Sequence, residues 1–341
     1  MDNIVAGRRI ASLRRARGWS QEELARRIGV SRAGVGAIET GRTVPSVTTA
    51  LRLAQALGCS VESLFAEPPS PRWAGAPASE GDRVWLAADR ALRAEPTAVG
   101  EIAHDARIEG GSLALRRNPE APSTLVLAGC DPAVGLLVGA LAERGVRLIP
   151  LHRSSQAALR ALAEGVADVA GVHLADPEGN AEAVRETLGA GHVLAHLATW
   201  REGVAVAGGA HRAVGSLVRR ATWIAREPGS GARACLEDLF REEGREPRFR
   251  RVARDHRAVA QLVRDGWGTA GVCVELVARE ADLGFVATRA ESYDLCVPAH
   301  LADDPRVRAL LDALRDRSLR GLIADLAGYD PSAMGEVLEV A

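Results

Sequence analysis

At 341 residues, with 47% hydrophobic and 26% charged side chains, the chain is too long for one hydrophobic core and too apolar for disorder, so two or three globular domains are expected. Its 43 basic residues, all Arg, nearly balance 44 acidic ones; the lack of Lys reads as coding bias. No window approaches the ~18 uninterrupted apolar residues of a membrane span, and the N-terminus lacks a signal-peptide core, which points to a cytoplasmic protein with no membrane partner. Cys59, Cys130, Cys235, Cys273 and Cys296 are scattered, without a CxxC or a nearby His at ligand spacing. A disulfide framework, a metal site and a bound cofactor are therefore not expected.

The charge is uneven. Residues 1–66 hold ten Arg against five acidic residues and the remainder is acidic on balance, so a polyanion is expected to meet the head alone. Apolar residues in this head recur at helical spacing in five blocks, from Ile4, Ile10 and Leu13 to Val61, Leu64 and Phe65. Ser20 precedes "QEEL" as an N-cap with Glu23 three residues on, a capping box. Gly29 closes that helix, Ser31 caps the next, Gly41 ends it, Pro45-Ser46 opens a fourth and Gly58 stops it, with Ser60 capping a last turn. Two short helices joined by "GVS" have the geometry of a helix-turn-helix.

The run "WSQEELARRIGVSRAGVGAIETGRTVPSVTTALRLAQALGCSVESLF" resembles the lambda-repressor-like (Xre/Cro) family along its whole length. Cap, turn glycine, Ile-Glu-x-Gly and closing Leu-Phe are all in register. The resemblance implies double-stranded DNA as partner and a recognition helix from Arg32 to Thr40 in the major groove, behind its cap Ser31. By position Arg32, Ala33 and Ala37 face the groove, while Gln21, Thr40 and Arg42 lie near the phosphate backbone. Gly34 and Gly36 stand where polar base readers are common, and each weakens the helix by roughly 1 kcal/mol relative to Ala. Specificity is then expected to lean on Arg32, on DNA shape and on paired half-sites read by a homodimer.

Residues 67–122 begin with "EPPSPRWAGAPASEGD", a linker by composition. A small strand meander from Arg83 to Arg117 is expected after it, with Trp73 and Trp85 as packing anchors. From residue 123 strands alternate with helices: "STLVLAG", "CDPAVGLLVGALAERG", "VRLIPL", "SSQAALRALAEG", "VADVAGVHL". This β-α-β-α-β series predicts a parallel doubly wound sheet. A second series follows "VAVAGG", and "YDLCVPAHL" leads into a helical region over 303–327. The expected fold class is thus multidomain, an all-α head on an α/β body.

The motifs "GCDPAVGLL", "GVADVAGVHLADPEG", "REPGSGARACLEDLF", "DGWGTAGVCVE" and "YDLCVPAHLADDPRVRALLDAL" resemble type II periplasmic-binding-protein domains over residues 123–341. The resemblance is nearest to the intracellular branch fused to DNA-binding heads. It implies two lobes, one of 123–203 with 294–341 and an inserted one of 204–293. It also implies a ligand of the molybdate or tungstate kind, or a metabolite related to the molybdenum cofactor.

The residues offer a physical reason for such a ligand. Open α/β sheets bind at the carboxyl ends of their strands. Here those ends run into helix N-termini, which carry unpaired N–H groups and about half a positive charge. "GCDP" contributes Cys130 and Asp131, "HRSS" contributes Ser154 and Ser155, and "REPGSGAR" contributes Arg226, Ser230, Gly231 and Arg233. "RDHR" contributes His256, and Tyr293 stands at the return strand with a hydroxyl to donate. Two lobes presenting such ends to each other make an oxyanion clamp. Each Ser or Gly also reads as a plain helix cap, and Asp131, which would repel an anion, reads as a cap or a contact for a hydroxyl. His152 and His173 lie at strand ends as well.

No GxSxG, HExxH, Walker A or strand-following GxGxxG appears, so an enzyme is not expected. The sequence therefore points to a transcription regulator whose lobes close on a small anion and shift the affinity of paired heads for DNA. Two rivals remain open. One is a two-lobed binding or enzymatic protein whose head docks a protein; the other is a DNA-binding protein whose body only dimerises, which requires a cleft occluded by side chains.

Overall fold

The computed structural model describes residues 3–65, 72–75, 78–93, 102–115, 123–208 and 213–341. The chain divides into two compact units, Met1–Ser70 and Pro71–Ala341. The proline-rich start of the expected linker, residues 67–71, lies outside the described residues.

The described residues of the first unit form five helices: α1 (Asn3–Ala16), α2 (Gln21–Ile28), α3 (Arg32–Glu39), α4 (Val47–Ala56) and α5 (Val61–Phe65). The capping residues act as their chemistry dictates. The Ser20, Ser31 and Ser46 hydroxyls accept from the backbone N–H of Glu23, Gly34 and Thr49 respectively, and Gly29 closes α2 at φ 71°, a left-handed conformation that costs glycine nothing. Ile10, Leu24, Ile28, Val35, Ile38, Leu53, Leu57 and Leu64 form the core. Glu39, buried at the end of α3, accepts from Arg14 Nε of α1 at 2.7 Å and from Gln21 Nε2 of α2 at 2.8 Å, so one carboxylate ties three helices together.

In the second unit five short strands come first: β1 (Arg72–Trp73), β2 (Arg83–Ala87), β3 (Arg90–Leu92), β4 (Ala106–Glu109) and β5 (Ser112–Leu115), in sheet order β1-β3-β2-β4-β5. This is the expected meander, with an added parallel pairing of β1 on β3. It is fastened to the remainder of the unit, because Trp85 and Leu92 share a hydrophobic cluster with Val126, Ile149 and Leu159. Buried Arg90 also pairs with Asp168 at 2.6 Å.

The rest of the unit is built on one ten-stranded sheet. Its elements run β6 (Thr124–Gly129), α6 (Val134–Glu143), β7 (Arg147–His152), α7 (Ser155–Ala163), β8 (Val169–Val172), α8 (Pro177–Leu188) and β9 (His192–Val206). They continue with α9 (Val214–Arg220), β10 (Trp223–Arg226), α10 (Gly231–Glu242), β11 (Arg251–Ala253), α11 (His256–Arg264), β12 (Ala270–Val274) and α12 (Glu275–Glu280). The last are β13 (Gly284–Pro298), α13 (Pro305–Leu314), α14 (Arg317–Ala324), β14 (Tyr329–Asp330) and β15 (Val337–Val340). The order β11-β10-β12-β9-β13-β8-β6-β7, with β14 and β15 also on β9, makes two lobes. One is centred on parallel β7-β6-β8 and the other on parallel β11-β10-β12.

Strands β9 and β13, each 15 residues long, pair antiparallel from one lobe into the other. Their register slips between Ala287 and Arg289 and again between Tyr293 and Asp294. At Gly203 a Cβ would lie 2.8 Å from Ala287 Cα, so only glycine permits the close approach of the strands there.

The same constraint sets the place of Tyr293. Its phenol is buried against β6 and β8, where a Cβ on Gly171 would lie 2.6 Å from Cζ and one on Gly129 would collide with the hydroxyl. We expect Gly171→Ala to destabilise the second unit by about 1–3 kcal/mol, the scale of overpacking a buried site. Gly139→Ala, in α6 with nothing within 4 Å of the added carbon, should be neutral or stabilise by up to ~1 kcal/mol. Urea unfolding of both variants checks this, and equal midpoints would refute it.

Candidate functional site

On the head, Ser31, Arg32, Ala33, Thr40 and Arg42 are exposed and Ala37 half-buried, all on or beside α3. That is the surface the sequence assigned to DNA. Two of the expected contacts have other work. Gln21 donates its amide to Glu39, and Thr40 Oγ1 donates to Gly36 O at 2.8 Å. Gly36 meets nothing closer than 3.8 Å and Gly34 only its own cap hydroxyl at 3.3 Å, so packing within the head does not require either glycine. They leave a low, smooth helix face beside Arg32.

In the second unit the strand ends converge on a cleft between the lobes, with a cavity of about 690 Å³. One wall is Gly129, Cys130, Asp131 and Pro132 after β6 with His152, Arg153 and Ser154 after β7; the other is Glu227 and Pro228 after β10 with Arg254, Asp255, His256 and Arg257 after β11. The lobes touch: Arg257 Nη1 donates to Pro132 O at 2.8 Å and the Gln156 N–H to Gly229 O at 3.4 Å. Gly231 presses on His173, where a Cβ would lie 2.8 Å from Nδ1.

Of the residues expected in the clamp, Cys130, Asp131, Ser154 and His256 line the cavity. Ser154 begins α7 but its hydroxyl makes no cap bond, which leaves it for a ligand. Asp131 accepts from the Ala133 N–H at 2.9 Å and from Tyr329 Oη at 2.7 Å, so it caps and anchors. Burial holds its pKa above the usual carboxylate range against those two bonds.

The others are placed differently, each for a local reason. Ser230 donates to Glu227 O and accepts from the Arg233 N–H, which uses its hydroxyl as the cap of α10. Arg233 bonds Glu237 and lies over the Phe249 ring, away from the cavity wall. Ser155 bonds the backbone of His173. Tyr293 is packed beneath the wall, its hydroxyl near the N–H groups of Cys130 and Asp131 without a well-formed bond. The glycine-rich cradle is therefore a helix cap and a lobe contact.

Arg226 lies beneath the wall, with a side chain that is 0% exposed. Its Nε and Nη2 grip Glu227 at 2.9 Å, while Nη1 has no partner among the described residues. Both ring nitrogens of buried His256 are likewise unpartnered. Burial first, then the Arg226 cation, pushes the His256 pKa well below its usual value, so its imidazole is neutral.

Sequence spacing did not reveal a row that joins the ends of β6 and β8 to the middle of β13. Cys130 Sγ lies 3.0 Å from His173 Nε2, and His173 Nδ1 lies 2.9 Å from Glu291 Oε2. Burial penalises a charged His173, but Cys130 and Glu202 together favour the charge, and its pKa is raised. Behind Glu291 sits Glu202, 0% exposed, which burial and the Glu291 charge push up to about 8. Glu202 thus keeps its proton at neutral pH and donates it to Glu291, and Arg289 pairs with both. Glu202 and Glu291 escaped notice because a charged residue inside a strand reads as its solvent face. Their signal was position within two long strands that are otherwise largely apolar, where a buried charge requires partners.

Residues 138–315, just over half of the chain, match the PBP superfamily domain, and residues 10–64 match a helix-turn-helix domain. The head is 40% identical over 57 residues to the uncharacterized HTH-type transcriptional regulator YgzD of Bacillus subtilis, covering 17% of this chain and 86% of that protein. It is 27% identical over 70 residues to the HTH-type transcriptional regulator PuuR of Escherichia coli, covering 20% of this chain and 38% of PuuR; the match therefore spans well under half of that relative. The tungstate ABC transporter structure from Geobacter sulfurreducens is similar over 59% of this chain and 98% of its own, at 16% identity and a TM-score of 0.46.

The Glu202 proton has a consequence for stability. The folded chain holds it up to about pH 8 against an ordinary value of 4.5. Its contribution is therefore complete at acid pH and is lost as pH rises toward and through 8. One proton corresponds to a slope of about 1.4 kcal/mol per pH unit. Neutral buried His256 works in the opposite sense, so the comparison must be between variants. We expect Glu202→Gln to remove a falling component of up to that slope between about pH 5 and 8, read by urea unfolding across pH. Identical slopes in the two proteins would contradict the shared-proton account.

Proposed function

The chain belongs to the PBP superfamily through its body and carries an Xre-like helix-turn-helix head, and from that premise we propose that it is a ligand-responsive transcription regulator. The head binds operator DNA through α3, the body holds a small organic anion between its lobes, and lobe closure sets the affinity for DNA. The protein acts in the cytoplasm as a homodimer. Exposed Val44, Val47 and Leu51 on the head, the last two 78% and 56% accessible, offer an apolar patch for pairing, and two half-sites supply the contacts that one small head lacks.

One observation carries the ligand reading: the buried Arg226 guanidinium has an N–H with no acceptor, next to a cleft between two touching lobes. Leaving such a group unpaired costs about 1–3 kcal/mol or more, and an anion in the cleft relieves it. On the cavity wall four arginines, Arg153, Arg160, Arg254 and Arg257, outnumber the acidic Asp131, Glu227 and Asp255, a small excess that favours the same sign of charge.

The cavity argues for size as well. About 690 Å³ lies within the ~300–1,000 Å³ of sites for larger organic ligands, whereas molybdate or tungstate, with five heavy atoms, fills a small part of it. Leu127, Pro132, Val134, Pro150 and Val252 add apolar wall that an inorganic oxyanion does not use. A carboxylate or phosphate metabolite, a molybdenum-cofactor-related one included, fits these walls better than the bare oxyanion. The open cleft also counts against a body that only dimerises. Binding rather than turnover is the proposed role.

The test is thermal unfolding of the full chain against molybdate, tungstate, sulfate, phosphate and a panel of organic phosphates and carboxylates. A cognate organic anion at ~100 times its dissociation constant should stabilise by about 2.7 kcal/mol, a rise of several degrees. Arg226→Gln should abolish the rise, and Ser154→Ala, a milder change, should reduce it. A rise with molybdate or tungstate alone would overturn the size argument. No rise with any anion, or an undiminished one in both variants, would overturn the anion-binding reading.

A further inference from the structure

The anion reading leaves a set of donors beneath the cleft without a task. We infer that Cys130, His173 and His256 form a site for a divalent transition metal, zinc(II) above all. The thiolate and two imidazoles are three ligands, and the fourth position faces the cavity. Their ligand atoms lie within 4.8 Å of one another and all three residues are buried. A tetrahedral zinc holds sulfur and nitrogen donors about 3.5 Å apart, so small side-chain adjustments bring the three onto one ion.

His256 separates a metal site from a plain thiol–imidazole pair. A hydrogen-bonded Cys–His pair, or a thiol activated by a base and an orienting carboxylate, uses only Cys130, His173 and Glu291. Neither gives His256 anything to do, yet both of its nitrogens are buried and unpartnered while it faces the same cluster. His173 is held as metal-bound imidazoles are, with Nε2 toward the cluster and Nδ1 on a carboxylate that fixes its tautomer. Cys130 and His256 line the cavity, so an ion has a route from solvent.

Donor chemistry narrows the choice. One thiolate with two imidazoles suits zinc and its neighbours and excludes magnesium and calcium, which take oxygen ligands. Arg226 beside the site keeps its floor positive, which suits water or an anionic group in the fourth position. The three-ligand set is complete without the organic anion proposed above and does not depend on it. Sequence spacing argued against a metal because the donors are 43 or more residues apart along the chain and meet only where three strand ends converge.

The test titrates the untagged full chain with cobalt(II) chloride, a spectroscopic stand-in for zinc, in a buffer free of coordinating anions. We expect one equivalent to bind with a sulfur-to-cobalt charge-transfer band and the intense visible bands of a tetrahedral ion, both displaced by zinc(II) chloride. Cys130→Ser should remove the charge-transfer band, His256→Gln should weaken binding by about tenfold or more, and Cys273→Ser, outside the cluster, should leave both unchanged. If Cys130→Ser fails to fold, as its thermal transition would report, His256→Gln carries the test. A wild-type chain without the charge-transfer band, a Cys130→Ser chain that keeps it, or a His256→Gln chain that binds as wild type would overturn the site. Neither DNA nor organic anion enters the readout, so this result and that of the regulator test fail separately.

Discussion

Strands β9 and β13 run antiparallel from one lobe into the other, and the cleft depends on that ladder. Trp200 and Glu202 stand on the first, Glu291, Ser292, Tyr293 and Asp294 on the second, all buried where the lobes meet. Burying an ionised carboxylate costs several kcal/mol unless it is paired. The fold meets that cost by leaving Glu202 protonated, hydrogen-bonding it to Glu291 and setting Arg289 against both. His173 is then oriented by Glu291, and Cys130 by His173. The polar floor is thus fixed to the two strands that join the lobes, and the lobe closure proposed for the regulator would act across it.

Much of this was legible in the residues. The serine caps and closing glycines of the head mark its helices because their side chains and φ angles satisfy helix ends, which is local chemistry. The alternation of apolar strands with capped helices likewise gave the two-lobed body, and strand ends led to the cleft through Cys130, Asp131, Ser154 and His256. What failed was the decision between cap and ligand. A hydroxyl has one proton and two lone pairs, and at Ser230 the helix uses the donor and an acceptor, whereas at Ser154 it uses neither. Nothing in the quoted runs distinguishes the two serines. The Cys130–His173–Glu291 row was illegible for another reason: its members are brought together by crossover connections, and Glu291 reads as an ordinary exposed charge until the strand around it is known to be buried on both faces.

Among the described residues, buried polar atoms without protein partners include Arg226 Nη1 and both ring nitrogens of His256 at the cleft floor. Such groups are costly in a closed cleft and profitable only when an occupant matches them. That is the condition for a switch, because a ligand shifts a conformational equilibrium only through its differential affinity for the two states. The head, with its basic balance and smooth α3 face, carries a pocket of about 190 Å³ lined by apolar residues such as Val44, Val47 and Phe65, which suits no polar metabolite. In the proposed regulator, recognition of DNA and of ligand are separate tasks on separate units, linked through lobe closure.

That linkage is the central claim, and one measurement addresses it directly. DNA fragments retained by the full chain are selected from a genomic pool, and the affinity for the best of them is measured by fluorescence anisotropy with and without saturating ligand. Occupancy of the cleft is verified in the same samples. The account predicts a change of about 5-fold or more, the usual lower range of coupling between two sites. Equal affinities at verified saturation would contradict it.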